Sequence, residues 1–278
     1  MFITTLKNIF DIDNVGSRWG VRCLYLFTMV LNAAIHFNPF ADTDFTPLQS
    51  WAVEVYNMTE YDADQYNALM TAIPISKGNM IYIISLCIGY LILLAAAYIY
   101  MALYVRNFRN EKIASIKDED QEVINYAIEH LPDKPIKPSN LVGRLLMIML
   151  FSTLISVPFV LLTFYFMFIA IIGLPFVFTT PVAYLSGDTG FFRSLPYSVK
   201  LAAKYYFVNM RGIGIILLAI LVSDFTVPLL ANISMTAFYI VDAAVTTWIW
   251  LAFARFAGIA YCTMKDFPIK GGKRPFAI

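Results

Sequence analysis

The chain has 278 residues, of which 59% are hydrophobic and 14% charged, with a formal net charge of +1 and a mean hydropathy of +0.67. Soluble domains carry roughly 25% charged residues, so this composition excludes a soluble enzyme, a disulfide scaffold and a disordered polymer, and it points to lipid as the solvent. The three cysteines, Cys23, Cys87 and Cys262, fall inside or beside apolar segments, and the only histidines are His36 and His130. Neither set forms a metal cluster or a disulfide framework, so no metal, cofactor or nucleic-acid partner is expected.

Taken in chain order, Phe2, Ile3, Leu6, Ile9 and Phe10 recur at helical spacing, which predicts a short interfacial helix within residues 1–18. A first span follows at 19–37. It is read as retained, because His36-Phe37-Asn38-Pro39 lacks the small-residue pattern of a cleavage site. The segment 38–79 is acidic and carries Trp51, Tyr56, Tyr61 and Tyr66, with a helix starting at Thr59 to Asp64 and running through Leu69 and Met70. It reads either as a lid or docking surface or as a solvated connection anchored at the interface by its aromatics. A second span occupies 80–104, free of charge throughout.

The loop 105–140 contains a soluble helix over 115–131, acidic at its start and stopped by Pro132, Pro135 and Pro138, with His130 as a surface residue. The apolar run 141–185 is too long for one crossing and reads as a helical hairpin, with spans at 141–160 and 164–184. Its turn falls between residues 157 and 162, where Pro158 marks the break. The segment 185–211 predicts an amphipathic helix: Leu195, Val199, Ala202, Ala203, Tyr206 and Phe207 form an apolar side, Arg193, Lys200 and Lys204 supply positive charge, and Pro196 lies near the helix start. Those bases contact either lipid headgroups or a cytoplasmic partner protein. The last block gives spans at 212–231 and 236–261 with a turn at Asn232-Ile233-Ser234.

The fold class is therefore all-α, a polytopic membrane protein with six transmembrane helices. Basic residues test that count. Of the 20 lysines and arginines, 19 fall in 1–22, 105–144, 185–211 and the C-terminal part, whereas 38–79 holds only Lys77 against six acids. By the excess of basic residues on cytoplasmic segments, both termini are cytoplasmic and 38–79 is the one sizeable external loop.

Asp224 and Asp242 sit within the last apolar block, where an ionised carboxylate facing lipid costs at least several kcal/mol. Paired across the 232–234 turn, they form a candidate intramembrane polar site for a proton or cation, or a structural hydrogen-bonding pair. His36, Asn32 and Arg144 raise the same question more weakly.

No Walker A run, HExxH, GxSxG, CxxC pair or EF-hand spacing is present, so no catalytic residue is assigned. The run Phe191-Phe192-Arg193-Ser194-Leu195-Pro196-Tyr197-Ser198-Val199-Lys200-Leu201, between a hydrophobic hairpin and a further span, resembles bacterial multi-span families in which an inner-leaflet helix links membrane helices. The N-terminal segment 1–18 followed by six spans, with a cytoplasmic helix at 115–131 or 194–208, is also similar to the membrane subunit of exporter-type ABC transporters. That resemblance implies a cytoplasmic ATPase as partner. The leading expectation is a non-enzymatic accessory or structural subunit of a complex in a bacterial cytoplasmic membrane, with lipids and other subunits as partners. The alternative is a transporter or permease subunit energised by a separate protein.

Overall fold

The computed structural model describes residues 7–15, 18–57, 63–115 and 138–265, and these are all-α, with no strand among them. The helices are α1 (Arg18–His36), α2 (Thr46–Tyr56), α3 (Ala63–Thr71), α4 (Lys77–Ser115), α5 (Pro138–Val177), α6 (Thr180–Leu185), α7 (Phe191–Ala203), α8 (Tyr206–Thr226) and α9 (Met235–Lys265). A 3-10 segment, Val227–Asn232, joins α8 to α9. The expected soluble helix over 115–131, and His130 within it, lie outside the described residues beyond Ser115.

Among the described residues, three stretches are long and apolar enough to cross a bilayer: Lys77–Asn110, Tyr206–Asn232 and Met235–Lys265. The protein is thus membrane-associated through apolar helices. Asn140–Ile155 and Ile171–Leu185 are shorter apolar helices.

Local chemistry starts the long helices where they start. At α4, the Ser76 N–H donates to Asn79 Oδ1 (3.1 Å) while the Asn79 N–H donates to Ser76 Oγ (3.0 Å), a reciprocal cap that satisfies two of the first-turn donors. The Asn79 side-chain amide also donates to the Asp42 and Asp44 carbonyls, each at 3.0 Å, tying the 38–79 segment to the helix it precedes. Gly78 permits this close approach, because a Cβ there would lie 2.5 Å from Asp42 Cβ. At α9, Ser234 Oγ accepts the Ala237 N–H (3.3 Å), which places the cap at the predicted turn.

Helix α9 is the centre of the bundle, packed against α1, α4 and α8. Its buried face is built from small residues, Ala252, Ala254, Ala257, Gly258 and Ala260, beside Leu251, Phe256 and Tyr261. Lipid tails are as apolar as leucine, so helices in a bilayer gain little from hydrophobic burial against one another and depend on close packing and polar clamps. Gly258 faces the Tyr104 ring of α4, where an added Cβ would come to 2.6 Å, and Gly212 of α8 faces the Phe256 ring. Phe256 in turn stacks on Phe178 at 5.2 Å between centroids.

Helix α5 answers the hairpin question with geometry. Arg144 Nη1 donates to the Tyr184 carbonyl, and also to that of Thr189 at 3.3 Å. An arginine reaches about 7 Å from its Cα and the compact run 177–184 spans at most about 15 Å, so residues 144 and 177 stand no more than roughly 30 Å apart. A straight helix would separate them by about 50 Å. The helical stretch therefore doubles back. Where a turn is expected between residues 157 and 162, the chain is helical throughout.

Three further expectations change. Of the short helix expected within 1–18, the described part has helix at 7–10, and Ile9 is 1% exposed within the main core, so residues 7–15 are docked into the bundle. Residues 1–6 lie outside the described set. The described residues of 38–79 include α2 and α3, and α2, with Pro47 in its first turn, went unpredicted. Pro196 sits inside α7 rather than at its start. Both Pro196 and Phe192, whose carbonyl loses its partner, lie on the exposed side, where solvent or headgroups can satisfy that carbonyl.

Candidate functional site

The turn between α6 and α7 gathers the most concentrated chemistry of the described residues. Gly187, at φ 84°, occupies the left-handed region and turns the chain so that Asp188 points back into the bundle. The Asp188 side chain is 4% exposed, and its two oxygens take donors from three elements. Arg109 of α4 pairs with it at 2.8 Å, and Lys265 at the end of α9 at 2.7 Å. The Tyr261 hydroxyl donates to Oδ2 at 2.7 Å, as does Ser186 Oγ at 2.8 Å.

Burial by itself would raise the Asp188 pKa, but the hydrogen bond and charge of Arg109, reinforced by Lys265, hold it down at about 2. The carboxylate is thus ionised at neutral pH and fully engaged. Arg144, at the start of α5, completes this end of the bundle by capping the Tyr184 and Thr189 carbonyls and lying over the Tyr184 ring at 4.9 Å. Its guanidinium is spent inside the protein rather than extended to an interface.

A second clamp lies deeper. Arg255 of α9 is 4% exposed and donates to the Asn8 carbonyl (2.6 Å), the Asn14 carbonyl (2.8 Å) and the Tyr100 hydroxyl (3.5 Å), with its guanidinium 5.2 Å from the Tyr104 ring centroid. The planar fork of arginine suits this division between carbonyls on two sides of one turn. The Tyr100 hydroxyl also donates to the Ile12 carbonyl at 2.8 Å, so α4 and α9 together hold residues 8–14.

The expected site residues fall at two other places. Asp224, exposed, is near the end of α8, and Asp242, half-buried, is in the third turn of α9. They lie at the end opposite Asp188, and Asp242 is within electrostatic range of both Asp224 and His36. His36 stacks on Tyr239 at 4.7 Å with an interplanar angle of 5° and also meets Tyr82. Arg193 and Lys200 on α7 and Lys204 at its C-terminal cap are all exposed.

Sequence reasoning missed Asp188 and Arg255 as organising groups. Gly187-Asp188-Thr189-Gly190 carried a turn signal, and Arg255 stood out as a cation in an apolar run, but apart from Ser186 beside Asp188 the partners named here are 73 to 247 residues away in the chain. Among the described residues, no group of three or more His, Cys, Asp or Glu side chains is placed to hold a metal ion. Compared with protein-family models, curated proteins and solved structures, the chain matches none.

Proposed function

We propose that this protein is a six-span integral membrane protein acting as a non-enzymatic accessory or structural subunit of a membrane complex. The observation that carries the reading is the braced interior: the axis around α9 is filled by alanines, Gly258 and the rings of Tyr100, Tyr104 and Phe256, and Asp188 cross-links α4, α9 and the α6–α7 turn at one end. A charged residue ionised and paired this completely stabilises one arrangement of the helices. Such a body suits holding partners in place better than alternating between open states.

Six crossings agree with the doubled-back α5 and with the placement of helix ends. Arg109, Arg144, Asp188 and Lys265 meet at one end, and His36, Tyr82 and Tyr239 at the other. The basic end would be cytoplasmic, with both termini there and 38–79 external. A bacterial cytoplasmic membrane fits that assignment. The test is purification from the native membrane in mild detergent with quantitative mass spectrometry of stoichiometric partners. A fixed, non-ATPase assembly is the expected result; an ATPase at constant stoichiometry, with substrate-stimulated hydrolysis, would overturn it.

A second reading, a transporter or permease subunit, draws on the grouping of Asp242, Asp224 and His36 at the opposite end. Titratable groups at membrane depth are the usual elements of proton-coupled movement. Reconstituted vesicles with a trapped pH dye would report proton flux, and Asp242→Asn would abolish it. Flux unchanged by the substitution would remove Asp242 from any such role.

A further inference from the structure

Helix α7 divides its surface into three sectors at 100° per residue. Phe191, Ser194, Tyr197, Ser198, Leu201 and Ala202 turn toward the bundle. Phe192, Leu195 and Val199 form an exposed apolar stripe, with Phe192 88% exposed. Arg193, Lys200 and Lys204 form an exposed basic stripe beside it.

The same pattern continues into α8. Phe207 is 85% exposed at the mouth of the span, Arg211 is exposed one turn further, and Leu218, Leu221 and Phe225 carry the stripe down the span at heptad spacing. From Thr189 to Ser223 the sequence contains four basic residues and no acid.

We propose that the corner between α7 and α8 binds an anionic phospholipid, its headgroup phosphate on Lys200, Lys204 and Arg211 and its chains along the exposed Leu218, Leu221 and Phe225. Two observations select this occupant over a soluble anion or an acidic protein. The bases are flanked by large exposed aromatics, which a free anion leaves in water and a bilayer interface takes up. Past the short turn at 204–205 the exposed apolar residues continue on a helix apolar and long enough to span, which suits them to lipid chains. Long basic side chains there keep their stems on the apolar surface and their charges at headgroup level.

The test uses the full-length protein, delipidated in neutral detergent. Phosphatidylglycerol is expected to raise the thermal unfolding midpoint and to be retained in native mass spectra, with phosphatidylcholine giving neither effect at the same concentration. The Lys200→Gln, Lys204→Gln, Arg211→Gln variant is expected to lose at least tenfold in apparent affinity for phosphatidylglycerol. The charge-conserving Lys200→Arg, Lys204→Arg, Arg211→Lys variant is expected to keep it, which separates lost charge from misfolding. Equal effects of the two lipids, full retention by the glutamine variant, or reproduction of the shift by inorganic phosphate alone would overturn the proposal.

Discussion

Replacing Asp188 by asparagine keeps the side chain's shape and removes its charge, leaving Arg109 and Lys265 facing a neutral amide. Two magnitudes bracket the cost. Removing one partner of a buried pair typically destabilises by about 3–5 kcal/mol. The fall of the Asp188 pKa from 3.8 to about 2 corresponds to about 2 kcal/mol at neutral pH. The lower part of the range applies, because the Lys265 side chain, 18% exposed, can turn to solvent, whereas that of Arg109, 8% exposed, cannot do so freely. The expected loss for Asp188→Asn is therefore about 2–3 kcal/mol, or roughly 5–10 °C in unfolding midpoint for a chain of this size. The assay is thermal unfolding of detergent-solubilised protein followed by intrinsic fluorescence. The wild-type pH dependence follows in sign. With the folded pKa below the unfolded value, the contribution is complete above pH 3.8 and disappears as the pH falls toward 2. Asp188→Asn should lack that acid step, and adding Arg109→Gln should recover part of the loss. A single variant within about 0.5 kcal/mol of wild type at pH 7, with the acid step intact, would refute the reasoning.

Arg255→Lys keeps the charge but not the fork between the Asn8 and Asn14 carbonyls; it is expected to cost about 2 kcal/mol and to raise hydrogen exchange across residues 7–15, measured by mass spectrometry. Gly212→Ala and Gly258→Ala place a methyl group against the Phe256 and Tyr104 rings and should each destabilise by about 1–3 kcal/mol, whereas Gly143→Ala and Gly214→Ala, with open space around the site, should be neutral or slightly stabilising in the same melts. Single cysteines at positions 50 and 193 in a background lacking Cys23, Cys87 and Cys262 should label from opposite sides of sealed membranes with an impermeant maleimide. Labelling of both from one side would exclude the proposed orientation.

The helices were legible wherever hydrophobicity alone decides. The apolar run 80–104 falls inside α4, and the turn read at Asn232-Ile233-Ser234 lies just before α9, where Ser234 Oγ accepts the Ala237 N–H. Apolar patterning does not mark where a helix stops when polar residues continue it: α4 runs on to Ser115 past Arg106 and Arg109. Nor does it distinguish a turn from continued helix, as the helical run through residue 158 illustrates. The basic face of α7 was readable from spacing, but its inward face was not. Leu195 and Val199 were assigned with Ala202 to one apolar side, whereas Ser194 and Ser198 are buried and Leu195 is exposed, because small side chains fit against a neighbouring helix where larger ones do not. Asp188 and Arg255 were opaque for another reason. Each acts through groups on distant segments, and a single chain read locally carries no record of those pairings.

The Arg255 clamp also sets an order of assembly. Its carbonyl partners, Asn8 and Asn14, are translated 247 and 241 residues earlier. A nascent chain that has inserted everything through α8 still has these carbonyls, the Tyr100 and Tyr104 face of α4 and the Asp188 carboxylate waiting for α9, which brings Arg255, Tyr261 and Lys265 together. Non-local closure of this kind is slow and leaves incomplete species exposed. Helix α9 therefore acts as the keystone of assembly, because the contacts of Arg255, Tyr261 and Lys265 with segments made long before them form only once it is in place.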